Sequence, residues 1–289
     1  MARPLITSVH NQRVKDAAKL RERRQREKQG RTLIDGGREI QRAIQAGIEL
    51  VEVFLCDGFC YENQFQPIVA ALEDARIAVL PCAPEVFAKV AYGERADGIV
   101  AVAATPRRSL DDLKLTAPAL VAVLVGLEKP GNVGAVLRSA DAAGVAAVIV
   151  ADGGTDLHNP NAIRASLGTI FSLPVCEATT SETLAWLRTN NVRVFAARVD
   201  GAIDYTAADF SGSSAIILGS EKAGLRKDWQ DEDISAIKLP MHGVADSLNV
   251  SATAAVLFYE ALRQRSHFAP HDDRLGLEAP RAGHSSRGA

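Results

Sequence analysis

The chain has 289 residues, of which 47% are hydrophobic and 24% charged. That balance suits a globular protein of about two domains and excludes collagen, a disulfide scaffold and global disorder. The formal net charge of −2 argues against a nucleic-acid partner, but it averages two unlike parts. Residues 1–31 carry ten Lys/Arg against three acids, a formal +7, while the other 258 carry 23 basic and 32 acidic residues, a formal −9. The pattern reads as a basic arm on an acidic body.

Residues 11–29 read as one helix covered in charge, with almost nothing to bury along Lys19–Lys28. Such a segment is either a solvated or disordered arm, or a phosphate-contacting surface for RNA. From Thr32 to Ala104 short strands and helices alternate. Strands are expected at Leu33–Ile34, Val51–Leu55, Ile77–Leu80 and Ile99–Ala104, and helices at 37–46, 64–75 and 84–90. This is a compact α/β unit over 32–104. Residues 105–118 are polar with a proline near each end and read as a linker. The next unit, 119–266, opens on the uninterrupted apolar run Leu120–Val125, which suits a parallel strand buried on both faces. Further strands are expected at Ala146–Val150, Val192–Ala197 and Ala215–Leu218, with helices at 132–143, 160–168 and 180–190. A last helix at 249–265 is apolar on most sides, so it is buried within the unit or against another subunit. The tail 267–289 holds two prolines and three of the six histidines and reads as disordered.

No apolar run approaches the ~20 residues that span a bilayer. The start, Met1-Ala2-Arg3-Pro4, lacks the apolar core of a signal peptide. Cys56 and Cys60 are close in sequence, but no second close pair completes a zinc site. Cys56, Cys60, Cys82 and Cys176 read as buried free thiols of a cytoplasmic protein.

Several chemistries fail on residue identity. Gly126 and Gly131 have P-loop spacing, but Asn132-Val133 follow where Lys and Ser/Thr are required, which disfavours a nucleotide-dependent enzyme. No Gly-x-Gly-x-x-Gly, His-Glu-x-x-His or nucleophile-elbow motif occurs. Three stretches remain, all expected at strand ends, where open α/β sheets bind ligands. The first is Lys129–Ser139, in which Gly131 and Gly134 permit a tight strand-to-helix turn and Asn132 suits an N-cap. Arg138 then lies about two turns along the helix, either as a solvated residue or as a functional one. The second is Ile216–Leu225, in which a buried strand ends in Gly219-Ser220-Glu221, an ordinary turn or a loop whose amides hold a ligand. The third runs through Leu239-Pro240-Met241 and Asp246-Ser247-Leu248-Asn249, where Ser247 or Asn249 is also a plain cap and Met241 plain core.

Taken together and in order, the three stretches resemble the SpoU/TrmH family of RNA ribose 2′-O-methyltransferases, within the SPOUT superfamily. The match covers about residues 119–265 and rests on Asn132, Gly134 and Arg138, on Gly219-Ser220-Glu221, and on Pro240-Met241 with Ser247-Leu248-Asn249. Residues 5–105 resemble the substrate-binding domain that precedes the catalytic domain in many members. Gly30–Gly36 matches a family stretch there, with Thr32 in place of Phe and Asp35 in place of Glu. The two-domain arrangement is most similar to large-subunit rRNA methyltransferases, including thiopeptide- and orthosomycin-resistance enzymes.

The resemblance implies an α/β protein with a small N-terminal substrate-binding domain and a C-terminal parallel-sheet SPOUT domain closed by a trefoil knot. It implies S-adenosylmethionine as methyl donor, RNA as substrate, no metal, no membrane, and a homodimer formed through the knot region. Gly219, Leu239 and Leu248 are expected to hold the adenosine part through main chain, with Met241 lining the pocket. Arg138 is expected to activate the ribose hydroxyl, Asn132 and Glu221 to orient it and the ribose, and Ser247 and Asn249 to shape the third loop. A tRNA substrate, or a non-catalytic RNA-binding protein on the same fold, are the alternatives.

Overall fold

The structure, a computed structural model, describes residues 4–56, 66–93, 98–220 and 224–266. The first unit comprises α1 (Gln12–Lys19), α2 (Arg23–Gln29), β1 (Arg31–Asp35), α3 (Gly37–Gln45), β2 (Leu50–Leu55), α4 (Gln66–Asp74), β3 (Ala78–Pro81), α5 (Pro84–Val90) and β4 (Ile99–Ala104). Its four strands form one sheet in the order β1-β4-β2-β3, antiparallel except for the β2/β3 pair. β4 shows how both faces are covered. Its Val100 and Val102 turn toward Val14, Leu20 and Phe87, and its Ile99 and Ala101 toward Ile40, Ala43 and Leu72. That two-residue alternation is the pleat of a strand with helices on both sides.

The second unit carries β5 (Leu120–Val125), α6 (Pro130–Ala142), β6 (Ala147–Ala151), α7 (Pro160–Ala165), α8 (Thr169–Ser172), β7 (Val175–Ala178), α9 (Thr180–Thr189), β8 (Arg193–Ala197), β9 (Ile203–Asp204), β10 (Ser214–Leu218), β11 (Ile234–Lys238) and α10 (Val250–Ser266). Seven strands form one sheet, ordered β7-β6-β5-β10-β8-β11-β9, and every neighbouring pair is parallel. The apolar run of β5 resolves into two faces, Leu120, Ala122 and Leu124 on one and Val121, Val123 and Val125 on the other. The expected doubly covered parallel sheet is therefore present. α10 lies against α6, with Val250, Ala254, Leu257, Phe258 and Ala261 buried.

Four sequence expectations change. Residues 11–29 are neither a solvated helix nor a disordered arm. They are two short helices, and Val14, Ala17 and Leu20 pack into the first unit's core. The charge density hid these because only three apolar side chains of the segment, three residues apart, enter that core. The linker segment 105–118 is polar yet seated: Leu113 is buried, and Arg108 donates to the Leu173 carbonyl at 2.7 Å. The helix expected over 160–168 stops at Ala165, and Gly168, with φ 83°, begins the separate turn of α8. β7, β9 and β11 were not expected as strands. β7 and β9 have only four and two residues, and Ser235 and Lys238 break the apolar run of β11. Cys60 and the tail 267–289, with His267, His271 and His284, lie outside the described residues.

Gly134 shows what a motif glycine does here. It sits inside α6 rather than in a turn, and a Cβ there would fall 2.4 Å from the Ala162 carbonyl oxygen and 2.6 Å from the Ala165 Cβ. The glycine lets α6 and α7 touch along their backbones. Gly131, on the same helix, has nothing within 4 Å of a Cβ. Gly134→Ala is therefore expected to cost ~1–3 kcal/mol by overpacking. Gly131→Ala should be neutral or slightly stabilising. Thermal unfolding of the two variants checks the contrast.

Candidate functional site

Parallel strands deliver their carboxyl ends to one edge of the sheet, and ligands bind there in open α/β folds. At this edge β8, β10 and β11 run into loops that enclose a cavity of about 550 Å³. That volume falls within the ~300–1,000 Å³ of small-molecule sites. Its apolar wall is Leu218, Leu225, Leu239, Met241, Leu248 and Val250, and Ser220, Gln230, Asp246 and Ser247 add polar groups. Gly219 lies on the wall where β10 ends, and a Cβ there would fall 2.7 Å from the Gly224 carbonyl. Gly224 lies against this glycine, and its amide donates to the Ser220 carbonyl at 3.0 Å.

The sequence-expected residues divide by position. Gly219, Leu239, Met241, Ser247 and Leu248 all line the cavity, although they come from two separate stretches of the chain. Asn132 and Arg138 do not line it and belong to α6. Asn132 is partly buried in the first turn, but it is not the N-cap. The helix begins at Pro130, and Lys129 holds that position, because a proline at N1 costs no backbone hydrogen bond. Arg138 is exposed, and its side chain makes no hydrogen bond or ion pair with any described residue. Glu221 lies outside the described residues. Asn249 caps α10: its side-chain oxygen accepts from the Ser251 amide at 2.9 Å and from the Ser251 hydroxyl at 2.6 Å. The third stretch thus leaves the cavity wall directly into the helix that packs on α6.

Two charged lining residues carried no sequence signal. Arg198 and Asp200, just past β8, form an ion pair on the cavity wall, with Nε to Oδ1 at 2.9 Å and Nη2 to Oδ2 at 2.6 Å. The pair raises the guanidinium pKa and lowers that of the carboxyl, chiefly through these hydrogen bonds. An Arg and an Asp two residues apart are common on any surface, so only the strand order marks them. Away from the cavity, in β7 at the other edge of the sheet, burial pushes the Cys176 thiol up to about 11 and keeps it an inert packing group. Among the described residues no group of three or more His, Cys, Asp or Glu is placed to hold a metal ion, and no helix is long and apolar enough to cross a membrane.

Known proteins share both units. The SpoU rRNA Methylase family matches residues 119–259, and an MRM3-like substrate binding domain matches residues 11–101. A 23S rRNA (guanosine(2553)-2′-O)-methyltransferase of Bacillus subtilis is 30% identical over 254 residues, which cover 88% of this chain and 97% of that one. A 23S rRNA (guanosine-2′-O-)-methyltransferase of Escherichia coli K12 is 32% identical over 238 residues, covering 78% and 96%. Among solved structures, an RNA 2′-O ribose methyltransferase superposes with a TM-score of 0.81 at 45% identity, covering 91% of this chain and all of that one. The SpoU methyltransferase AviRb of Streptomyces viridochromogenes, in complex with AdoMet, gives 0.79 at 27% identity, covering 89% and 99%.

The cap on α10 is open to direct measurement. Asn249→Ala should lower the unfolding free energy by ~1 kcal/mol, and Asn249→Asp should retain most of it. Chemical denaturation of both variants reads the difference.

Proposed function

The chain belongs to the SpoU rRNA methylase family, and we infer from that membership and from the site that it transfers a methyl group from S-adenosylmethionine to a ribose 2′-hydroxyl of large-subunit rRNA. The observation that carries this reading is the cavity itself. Two separate stretches that match the family's motifs meet as one wall, on a chain that spans nearly the full length of 23S rRNA-modifying relatives. Those relatives, together with the N-terminal unit, favour large-subunit rRNA over tRNA.

The residues present fit the methyl donor. The cavity has the volume for a nucleoside with a thioether chain and a mainly apolar wall, and Gly219 lies on that wall without a side chain. Gly219, Leu239 and Leu248 would hold the adenosine part, and Met241 would pack against it. When bound, S-adenosylmethionine supplies a methyl group already activated on a sulfonium. The protein's own tasks are to align the acceptor oxygen and to stabilise the charge that develops on it.

Arg138 is the group for the second task. A guanidinium stays protonated in proteins, so a role as free base is disfavoured. As a cation it pairs with the neighbouring RNA phosphate and stabilises the developing alkoxide through charge-assisted hydrogen bonds. Its exposure, and the lack of a partner among the described residues, leave its donors available for RNA. Asn132 and Glu221 would orient the ribose and the guanidinium, while Ser247 and Asn249 hold the third loop.

The reading extends to the whole molecule. The trefoil knot is supported by the strand order, which places β10 between β5 and β8 before the chain returns to pack α10 on α6. A homodimer is supported by Val256 and Tyr259, which remain exposed on α10 opposite its buried face. The buried free thiols Cys56, Cys82 and Cys176 suit the reducing cytoplasm. RNA capture falls to the first unit. There Arg24 and Lys28 are exposed on α2 with side chains free of described partners, whereas Arg26 is buried.

Two measurements test the reading. Arg138→Lys should cut turnover by ~100-fold on an rRNA substrate, while calorimetric affinity for S-adenosylmethionine stays unchanged. Near-normal turnover in this variant would remove Arg138 from the reaction. A wild-type protein that binds RNA but not S-adenosylmethionine would instead be a non-catalytic binder. Arg24→Gln with Lys28→Gln should flatten the salt dependence of RNA binding by ~0.7–0.9 in log–log slope per lost contact. An unaltered slope would place the RNA elsewhere.

A further inference from the structure

The basic residues of α2 are of two kinds, and the buried one points away from RNA. Arg26 is only 4% exposed and every arm of its guanidinium is used. Nη1 donates to the Leu20 carbonyl at 2.6 Å and the Arg21 carbonyl at 2.8 Å, tying the turn between α1 and α2. Nε and Nη2 both reach Asp156, the first at 2.7 Å. Asp156 belongs to the second unit, in the loop 152–159 that joins β6 to α7. Neighbouring contacts fall on the same loop: Arg23 donates to the Gly154 carbonyl at 3.0 Å and Thr32 to the His158 carbonyl at 2.6 Å.

That loop leads straight into α7, and α7 is the helix that Gly134 allows against α6. Arg164 of α7 returns to the first unit, donating to the Tyr92 carbonyl at 2.8 Å, and Arg42 of α3 donates to the Leu167 carbonyl at 2.8 Å. The first unit therefore holds α7 from the loop before it to the residue Leu167 just past its end. α6, on the far side of that contact, carries Asn132 and Arg138.

We propose that Arg26, with Asp156, is a positioning residue: the pair holds the RNA-capturing unit in fixed register with the α6 side chains, so that captured RNA meets Arg138 at the right offset. The inference rests on the function proposed above and adds a specific part to it. A tethered unit could bind RNA equally well. It would present the ribose over a spread of positions, and a misplacement of ~1 Å can cost ~100-fold in rate.

The test uses the full chain with Asp156→Asn, Arg26→Gln and the double variant. Asp156→Asn keeps its shape at a site near the edge of the contact, so it serves if Arg26→Gln does not fold. Expected are a fall in kcat of ~10-fold or more, unchanged affinity for RNA and for S-adenosylmethionine, and a double variant no worse than the singles, since both remove one interaction. Hydrogen exchange should quicken across 152–165 and stay the same in α9. Unchanged kcat, strictly additive losses, or a kcat loss matched by lost cofactor affinity would each overturn the proposal. The exchange measurement separates the two readings. If the wild type is inactive on rRNA, the assigned function fails, whereas unchanged exchange in an active enzyme defeats the register role alone.

Discussion

Seven strands that all run the same way must deliver all their carboxyl ends to one edge, and the rest of this molecule follows from that constraint. Each parallel connection has to cross back over the sheet, so helices cover both faces and the central strands β5, β6 and β10 are buried throughout. The loops then crowd together at the other end. Because β10 is threaded between β5 and β8, the ends of β8, β10 and β11 become neighbours although about 40 residues separate the first from the last. The cavity is the space those three loops leave.

A cavity of this kind serves RNA chemistry only if the RNA is held relative to it. The first unit is not strung on a flexible tether. One face of its sheet shares an apolar cluster with the second unit, which runs from Ile34 and Ile40 through Ile163 and Phe171 to Val133 and Leu137. Over that contact lies a polar layer of Arg26, Thr32, Arg42 and Arg164. Breaking one partner of a buried ion pair is expensive, ~3–5 kcal/mol, because it leaves a charge without water or counter-charge. Polar groups in this layer make the docking specific in position, which apolar contact alone does not.

The charge pattern takes its meaning from this arrangement. A formal +7 over the first 31 residues suggests a single cationic surface. In the folded protein those charges are spent differently. Arg26 is internal, Arg23 pairs with Glu27 at 2.8 Å and with the Gly154 carbonyl, and Arg21 donates to the Ala88 and Ala91 carbonyls. Arg24 and Lys28 remain toward solvent. A count of charges therefore overstates the surface offered to phosphate.

Much of the fold was legible because its signals are local. β4 and β5 are uninterrupted apolar runs, as is most of β10, and α5 starts at a proline. The residues Gly219, Leu239, Met241, Ser247 and Leu248 were identifiable by resemblance, since their types and spacing are distinctive. What the amino-acid order left open depends on distance in space rather than along the chain. It could not show that Gly134 serves a helix contact, that Arg26 faces Asp156 130 residues away, or that Arg198 and Asp200 reach the cavity. Local sequence dictates which segments are strands and helices because propensity and periodicity act over a few residues. The tertiary structure alone decides which charges are buried and which loops meet, because those depend on strand order and on the packing of elements far apart in the chain.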